Sequence, residues 1–164
     1  MSASIYSANA KGVTVVGANT MVFVRPSTTA ALRILRCWIS QGASAASSEQ
    51  QGVAMFTQPT SFPTLTGVTP FQHGGVNDSV SSIVSGTSGA AGTCGVNASA
   101  EGAGTKLYGP SDGFNNLNGW VWVATPEEQI VVSASAAVGF GIMLVTVPTS
   151  KTLWYAGITW HEVG

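Results

Sequence analysis

Charged side chains are so rare in this sequence that few kinds of surface are open to it. Of 164 residues, 13 are Asp, Glu, Lys or Arg, 8% of the chain, against roughly a quarter in an average soluble protein. Lys and Glu are the usual fillers of solvent-facing helices, and here they are nearly absent. Val and Ile fill 26 positions, Leu and Met 11. β-Branched side chains are stiff at χ1 and pack well on a pleated surface, so this imbalance predicts sheet. Ala, Gly, Ser and Thr supply 76 further positions, the stuff of small-residue strands and turns. The expectation is an all-β fold, an antiparallel β-sandwich.

The same scarcity excludes several function classes. The net charge is −1 and the isoelectric point about 6.0. Six scattered Lys and Arg cannot make the positive stripe that displaces counterions from nucleic acid, nor a polybasic membrane patch. Disorder fits badly with 45% hydrophobic residues. Residues 129–150 carry no charge, but Ser133, Ser135, Gly139, Gly141 and Pro148 interrupt them. The longer uncharged span 50–77 is plainly polar, so no membrane span of about 20 apolar residues is expected. Met1–Ala10 lacks the basic-then-apolar order of a secretory signal. The sequons at Asn77 and Asn97 therefore carry little weight.

Strand-like runs recur between turn signals. Gly12–Gly17, Thr20–Val24 and Gly52–Thr57 are β-branched or apolar, Val80–Val84 more weakly so. Residues 27–40 read as a strand, because no Glu or Gln completes a capping box, although Leu32, Leu35 and Ile39 also fit helical spacing. As a strand they place Leu32, Ile34 and Trp38 on one face and Leu35, Cys37 and Ile39 on the other. Asn118-Gly119 predicts a type I′ hairpin. Beyond it Trp120 and Trp122 share one face, Val121 and Val123 the other. Phe140–Val147 is apolar on both faces, as in a central strand. The last strand puts Trp154, Ala156, Ile158 and Trp160 inward, and Tyr155, Thr159 and His161 outward. Residues 1–11 are expected as an N-terminal arm, 12–164 as one sandwich domain, and 86–104, with glycine at 86, 89, 92 and 95 and again at 102 and 104, as a long loop.

Chemistry-bearing patterns are weak. Gly109-Pro110-Ser111-Asp112-Gly113 matches G-x-S-x-G, with Glu127, Glu128 and His161 in triad order, but a nucleophile elbow needs strand, serine and helix in succession. His161 and Glu162 are adjacent and so face opposite ways on a strand, and His73 stands alone between non-ligating neighbours. Gly102–Lys106 lacks the spacing of a phosphate loop. No second carboxylate is placed to face Glu127 and Glu128 across a cleft. Cys37 and Cys94 make no disulfide framework and are expected as free thiols. No enzyme activity, catalytic residue, metal or cofactor is expected, and partner-binding residues are not specified by any motif.

A sandwich has edges that natural proteins guard, and soluble domains keep apart by surface charge. A chain so poor in charge is expected to cover its exterior with protein. Residues 22–26 (VFVRP), 31–39 (ALRILRCWI), 118–128 (NGWVWVATPEE) and the ending Trp154–Val163 resemble, as a pattern over most of 12–164, small structural proteins of tailed-phage virions, the capsid cement or decoration proteins of jelly-roll type. That resemblance implies a homo-oligomer, a homotrimer before a dimer, bound to the major capsid protein on the outside of the phage head. It also implies synthesis in the host cytoplasm. The alternative is a glycan- or receptor-binding head domain of a tail fibre or spike, with Tyr108 and Phe114 as sugar-stacking candidates.

Overall fold

The computed structural model describes residues 4–16, 19–42, 48–74, 80–87, 89–135 and 137–164. Among these, the N-terminal part forms Ile5–Val13 (β1), Thr20–Arg25 (β2), Ala31–Gln41 (β3) and Gln50–Gln58 (β4). An insertion follows with Thr64–Gly67 (β5), Phe71–Gln72 (β6), Val84–Ser85 (β7) and Thr93–Ala100 (β8). The C-terminal part supplies Leu107–Asn115 (β9), Trp120–Val123 (β10), Ile130–Val132 (β11), Gly139–Leu144 (β12) and Trp154–Val163 (β13). One sheet runs β10-β3-β13-β1-β6, with β11 also on β3; the other runs β5-β8-β2-β12-β4-β9, with β7 on β8. Every pairing is antiparallel except β7 with β8. The fold is an all-β, two-sheet antiparallel sandwich.

Period-two alternation explains which side chains meet between the sheets. Trp154, Ala156, Ile158 and Trp160 of β13 are buried, facing Val22 and Val24 of β2, Met55 of β4 and Phe140 and Ile142 of β12 across one continuous core. Trp120 and Trp122 pack against it while Val121 and Val123 face solvent. Residues 31–41 are a strand, as expected, but its faces differ from simple alternation. Leu32, Ile34, Cys37 and Ile39 all point inward, and Trp38 lies on the outer face, half-buried. The reason is a β-bulge: Arg36 pairs with Thr159 and Ile34 with Trp160, which leaves Leu35 as the extra residue.

Five other expectations are corrected. Residues 5–10 are not an arm. They pair along β13 from Ile5–His161 to Ala10–Ala156, because Tyr6, Ala8 and Ala10 alternate inward and small side chains suit the space under Trp160 and Trp154. The strand expected at Gly12–Gly17 instead ends β1 at Val13, and Gly17 lies outside the described residues. The glycine-rich stretch 86–104 contains β8, where Cys94 and Val96 enter the main core and Gly95 lets Leu65 approach to 2.7 Å of where a Cβ would stand. Asn118-Gly119 is not a two-residue hairpin: Asn118 and Gly119 both donate to the Asn115 carbonyl, and Gly119 alone has a positive φ, +69°. The turn therefore carries the chain from β9 in one sheet to β10 in the other. Finally, β12 stops at Leu144, and Val145 and Val147 are exposed.

The insertion builds a second, smaller core. Phe23, Phe56 and Met143 alternate with main-core residues and so project from the outer face of the second sheet, where Leu65, Ala98 and Phe62 cover them. Gly139 and Gly141 make room, since a Cβ on either would stand 2.2 and 2.7 Å from the Phe23 and Phe56 rings respectively. The same insertion covers two strand edges, with β6 alongside β1 and β8 alongside β2. On the opposite side of the sandwich β9, β10 and β11 remain as outer strands.

Candidate functional site

Five of the 13 charged residues fasten loops. Glu101 accepts from the backbone N–H of Asn19, from Thr20 N–H at 2.7 Å and Thr20 Oγ1 at 2.6 Å, and pairs with Lys106 Nζ. Burial pushes its carboxyl up, yet the Lys106 and Thr20 hydrogen bonds and the Lys106 charge outweigh burial and hold it below its ordinary value. Glu162 accepts from Ser81 Oγ at 2.5 Å and Ser82 N–H at 2.9 Å. Glu49 accepts from Thr149 N–H at 2.9 Å and Gln51 Nε2 at 2.6 Å. The Arg25 guanidinium donates to the Gly89 carbonyl and lies 3.9 Å over the Phe62 ring. Each of these ties the insertion or a loop to a strand.

Residues singled out for chemistry are dispersed. Ser111 lies within β9, its hydroxyl donating to the Gly109 carbonyl at 3.2 Å. His161 lies on β13 in the other sheet, so the triad-like order brings no triad together. Glu162 is turned from His161 into its Ser81 and Ser82 bonds. No group of three His, Cys, Asp or Glu suited to a metal exists among the described residues. His73, unremarkable in sequence, sits 3.1 Å from Ser7 Oγ, a contact that only the β1–β6 pairing creates. Ser7 is buried and Asn9 Nδ2 also donates to it. No helix among the described residues is long and apolar enough to cross a membrane.

Both cysteines are free and buried. Burial pushes the Cys37 thiol far up and the Cys94 thiol up to about 12, and Cys94 donates to the Val68 carbonyl at 3.1 Å. A thiol-exchange reagent at pH 8 should therefore modify neither in the folded protein and both after denaturation, since the thiolate is the reactive form. A single rapidly titrating thiol in the native state would contradict the buried placement.

Large apolar side chains are exposed at several places, Phe71, Val80 and Val84 among them, and one set lies on the β9–β11 side. Leu107 and Tyr108 of β9 are exposed, as are Leu117 in the following turn and Val121, Val123 and Val131 of β10 and β11. Between the two sheets on this side lies a cleft of about 260 Å³ lined by Met55, Phe56, Leu107, Tyr108, Ile130 and Phe140. Of the two aromatics expected to stack sugars, Tyr108 is 62% exposed but Phe114 is buried against Trp154, rings 6.4 Å apart. Phe114 is thus removed from that role by its own packing, and both residues lie in β9 and not in a loop. Trp154 and Trp160 are wholly buried. Compared with protein-family models, with curated proteins and with solved structures, the chain has no match. Function must be argued from its own surface.

Proposed function

We propose that this chain is a structural virion protein, a capsid cement or decoration protein. In this reading it binds the major capsid protein on the outside of an assembled phage head as a homo-oligomer, a trimer before a dimer, after synthesis in the host cytoplasm. The observation that carries the reading is the character of the surface. Five of the ionisable groups fasten loops, and the β9–β11 side exposes six large apolar side chains. Clustered exposed apolar side chains are a mark of contact surfaces. The finer description, a jelly roll, is supported by pairing order. Leaving out the insertion, β1, β13, β3 and β10/β11 neighbour one another in one sheet, and β2, β12, β4 and β9 in the other. Successive strands thus cross between sheets at every step but β4 to β9, as two nested Greek keys require.

A protein that binds only the assembled shell stabilises it by its binding free energy, and symmetric repetition converts modest contacts into avidity. With little charge available, attachment should depend weakly on salt. The test mixes purified protein with undecorated capsids at 0.15 M and at about 1 M salt, where the Debye length falls to roughly 3 Å, and pellets the particles. Retention at both supports the reading, whereas no retention, or release at modest salt, contradicts it. The alternative, a glycan-binding head domain of a tail fibre or spike, rests on Tyr108 at the cleft mouth and would be favoured by glycan-array binding lost in Tyr108→Ala.

A further inference from the structure

We infer that the outer face of β3, β10 and β11 is where a second copy of this chain docks, through an apolar stripe beside charges of both signs. This rests on the homo-oligomer part of the proposed function and names the surface it uses.

The two outer faces of the sandwich differ. That of the second sheet is covered by Phe62, Leu65 and Ala98 of the insertion. On the first sheet, Val121, Val123 and Val131 stand 60, 63 and 59% exposed. Register fixes their neighbours: Val121 is opposite Trp38, Val123 opposite Arg36 and Val131 opposite Arg33, so all six share one face. Arg33 and Arg36 are exposed, and no carboxylate lies within ion-pair distance of either among the described residues. The turn that joins β10 to β11 carries Glu127 and Glu128, both exposed and, among the described residues, without a cation at ion-pair distance.

The face therefore carries cations on β3 beside valines on β10 and β11, and the turn joining those two strands supplies carboxylates. A patch that carries both signs beside an apolar stripe complements a second copy of itself about a two-fold axis, the arginines of one facing the glutamates of the other while the valines are buried between them, so this contact closes a dimer and not the trimer placed first above. That arrangement matches the usual anatomy of an interface, an apolar centre with a polar rim, and opposite potentials fix its register. Among the described residues, the side chains of Arg33, Arg36, Glu127 and Glu128 make no bond within the chain that docking would have to break, save a 3.4 Å contact from Thr125 Oγ1 to Glu128.

The test is sedimentation equilibrium at 0.15 M salt on the full chain and on three variants. These are R33E/R36E, E127R/E128R and the fourfold exchange R33E/R36E/E127R/E128R, each first checked for an unchanged thermal midpoint, which exposed positions should keep. Each double variant sets like charges against one another, and its self-dissociation constant is expected to rise at least about 100-fold, while the fourfold exchange returns to within about tenfold of the parent. An oligomer indifferent to both double variants, or a fourfold variant that stays dissociated, overturns this docking surface while leaving oligomerisation itself in place. A monomeric parent overturns both, and capsid co-sedimentation then reports separately on shell binding.

Discussion

Phe23→Ala is expected to lower stability by about 3–5 kcal/mol, the usual cost of emptying a buried aromatic site. The thermal midpoint should fall by roughly 10 °C or more in a chain of this size. Phe23 is fully buried, and its ring lies 5.9 Å from both Phe56 and Phe62. It also fills the space left by Gly139 and Gly141, so no neighbour can relax into the cavity without moving β12. Because Phe62 belongs to the insertion and Phe23 to β2, the loss should also loosen residues 59–106 from the sheet. Limited proteolysis should then cut first within that segment. Phe62→Ala, at a half-buried position, should cost less than Phe23→Ala. A fall of under about 2 °C for Phe23→Ala would mean that the second core does not hold the insertion.

The second large effect belongs to Glu101. Glu101→Ala leaves Asn19 N–H, Thr20 N–H, Thr20 Oγ1 and Lys106 Nζ without their common acceptor. Hydrogen bonds to a charged group contribute about 1.5–3 kcal/mol. Partial exposure of both members of the pair tempers the sum, so a loss of roughly 2–3 kcal/mol is expected. The pH dependence gives a sharper signature. The folded carboxyl is held below its ordinary value of 4.5. Its stabilisation is therefore fully present above about 4.5 and lost as pH falls through the lower folded value. The stability gap between the parent and Glu101→Gln, measured by denaturant unfolding, should be widest near neutral pH and narrow steadily below pH 4.5. A gap unchanged from pH 7 to pH 3 would show that the carboxylate charge does not fasten the insertion.

These two residues also mark the boundary of what the sequence made legible. Alternation alone identified β2, β4, β10 and β13 and the inward set Trp154, Ala156, Ile158 and Trp160, because period two survives wherever one face meets the core. It separated Val121 and Val123 from Trp120 and Trp122, and so already held two of the three exposed valines on the outer face of β10 and β11. It failed where a local device breaks the period. The Leu35 bulge shifted the phase of β3 and produced its helix-like spacing. The small residues of β1 resembled a polar arm because the bulk filling that part of the core comes from Trp154 and Trp160, some 150 positions away. In β8, the alternating Cys94 and Val96 were masked by glycines whose real purpose is to let Leu65 and Thr93 approach closely. The loop-fastening carboxylates were illegible for another reason: Glu101 and Thr20 are 81 residues apart, and Glu162 and Ser82 are 80 apart, distances over which sequence pattern says nothing about contact. The outward pairing of Arg33 with Val131 likewise exists only through strand register.

All of this turns on whether other protein lies against the β9–β11 side of the sandwich. The most direct measurement is an electron cryomicroscopy map of the native particle carrying this chain. The expected result is sandwich-shaped density on the outside of the head, in symmetric groups, with Val121, Val123 and Val131 buried between copies and the β9 edge turned toward neighbouring subunits. Density at a fibre tip, or single copies surrounded by solvent on that side, would contradict the account.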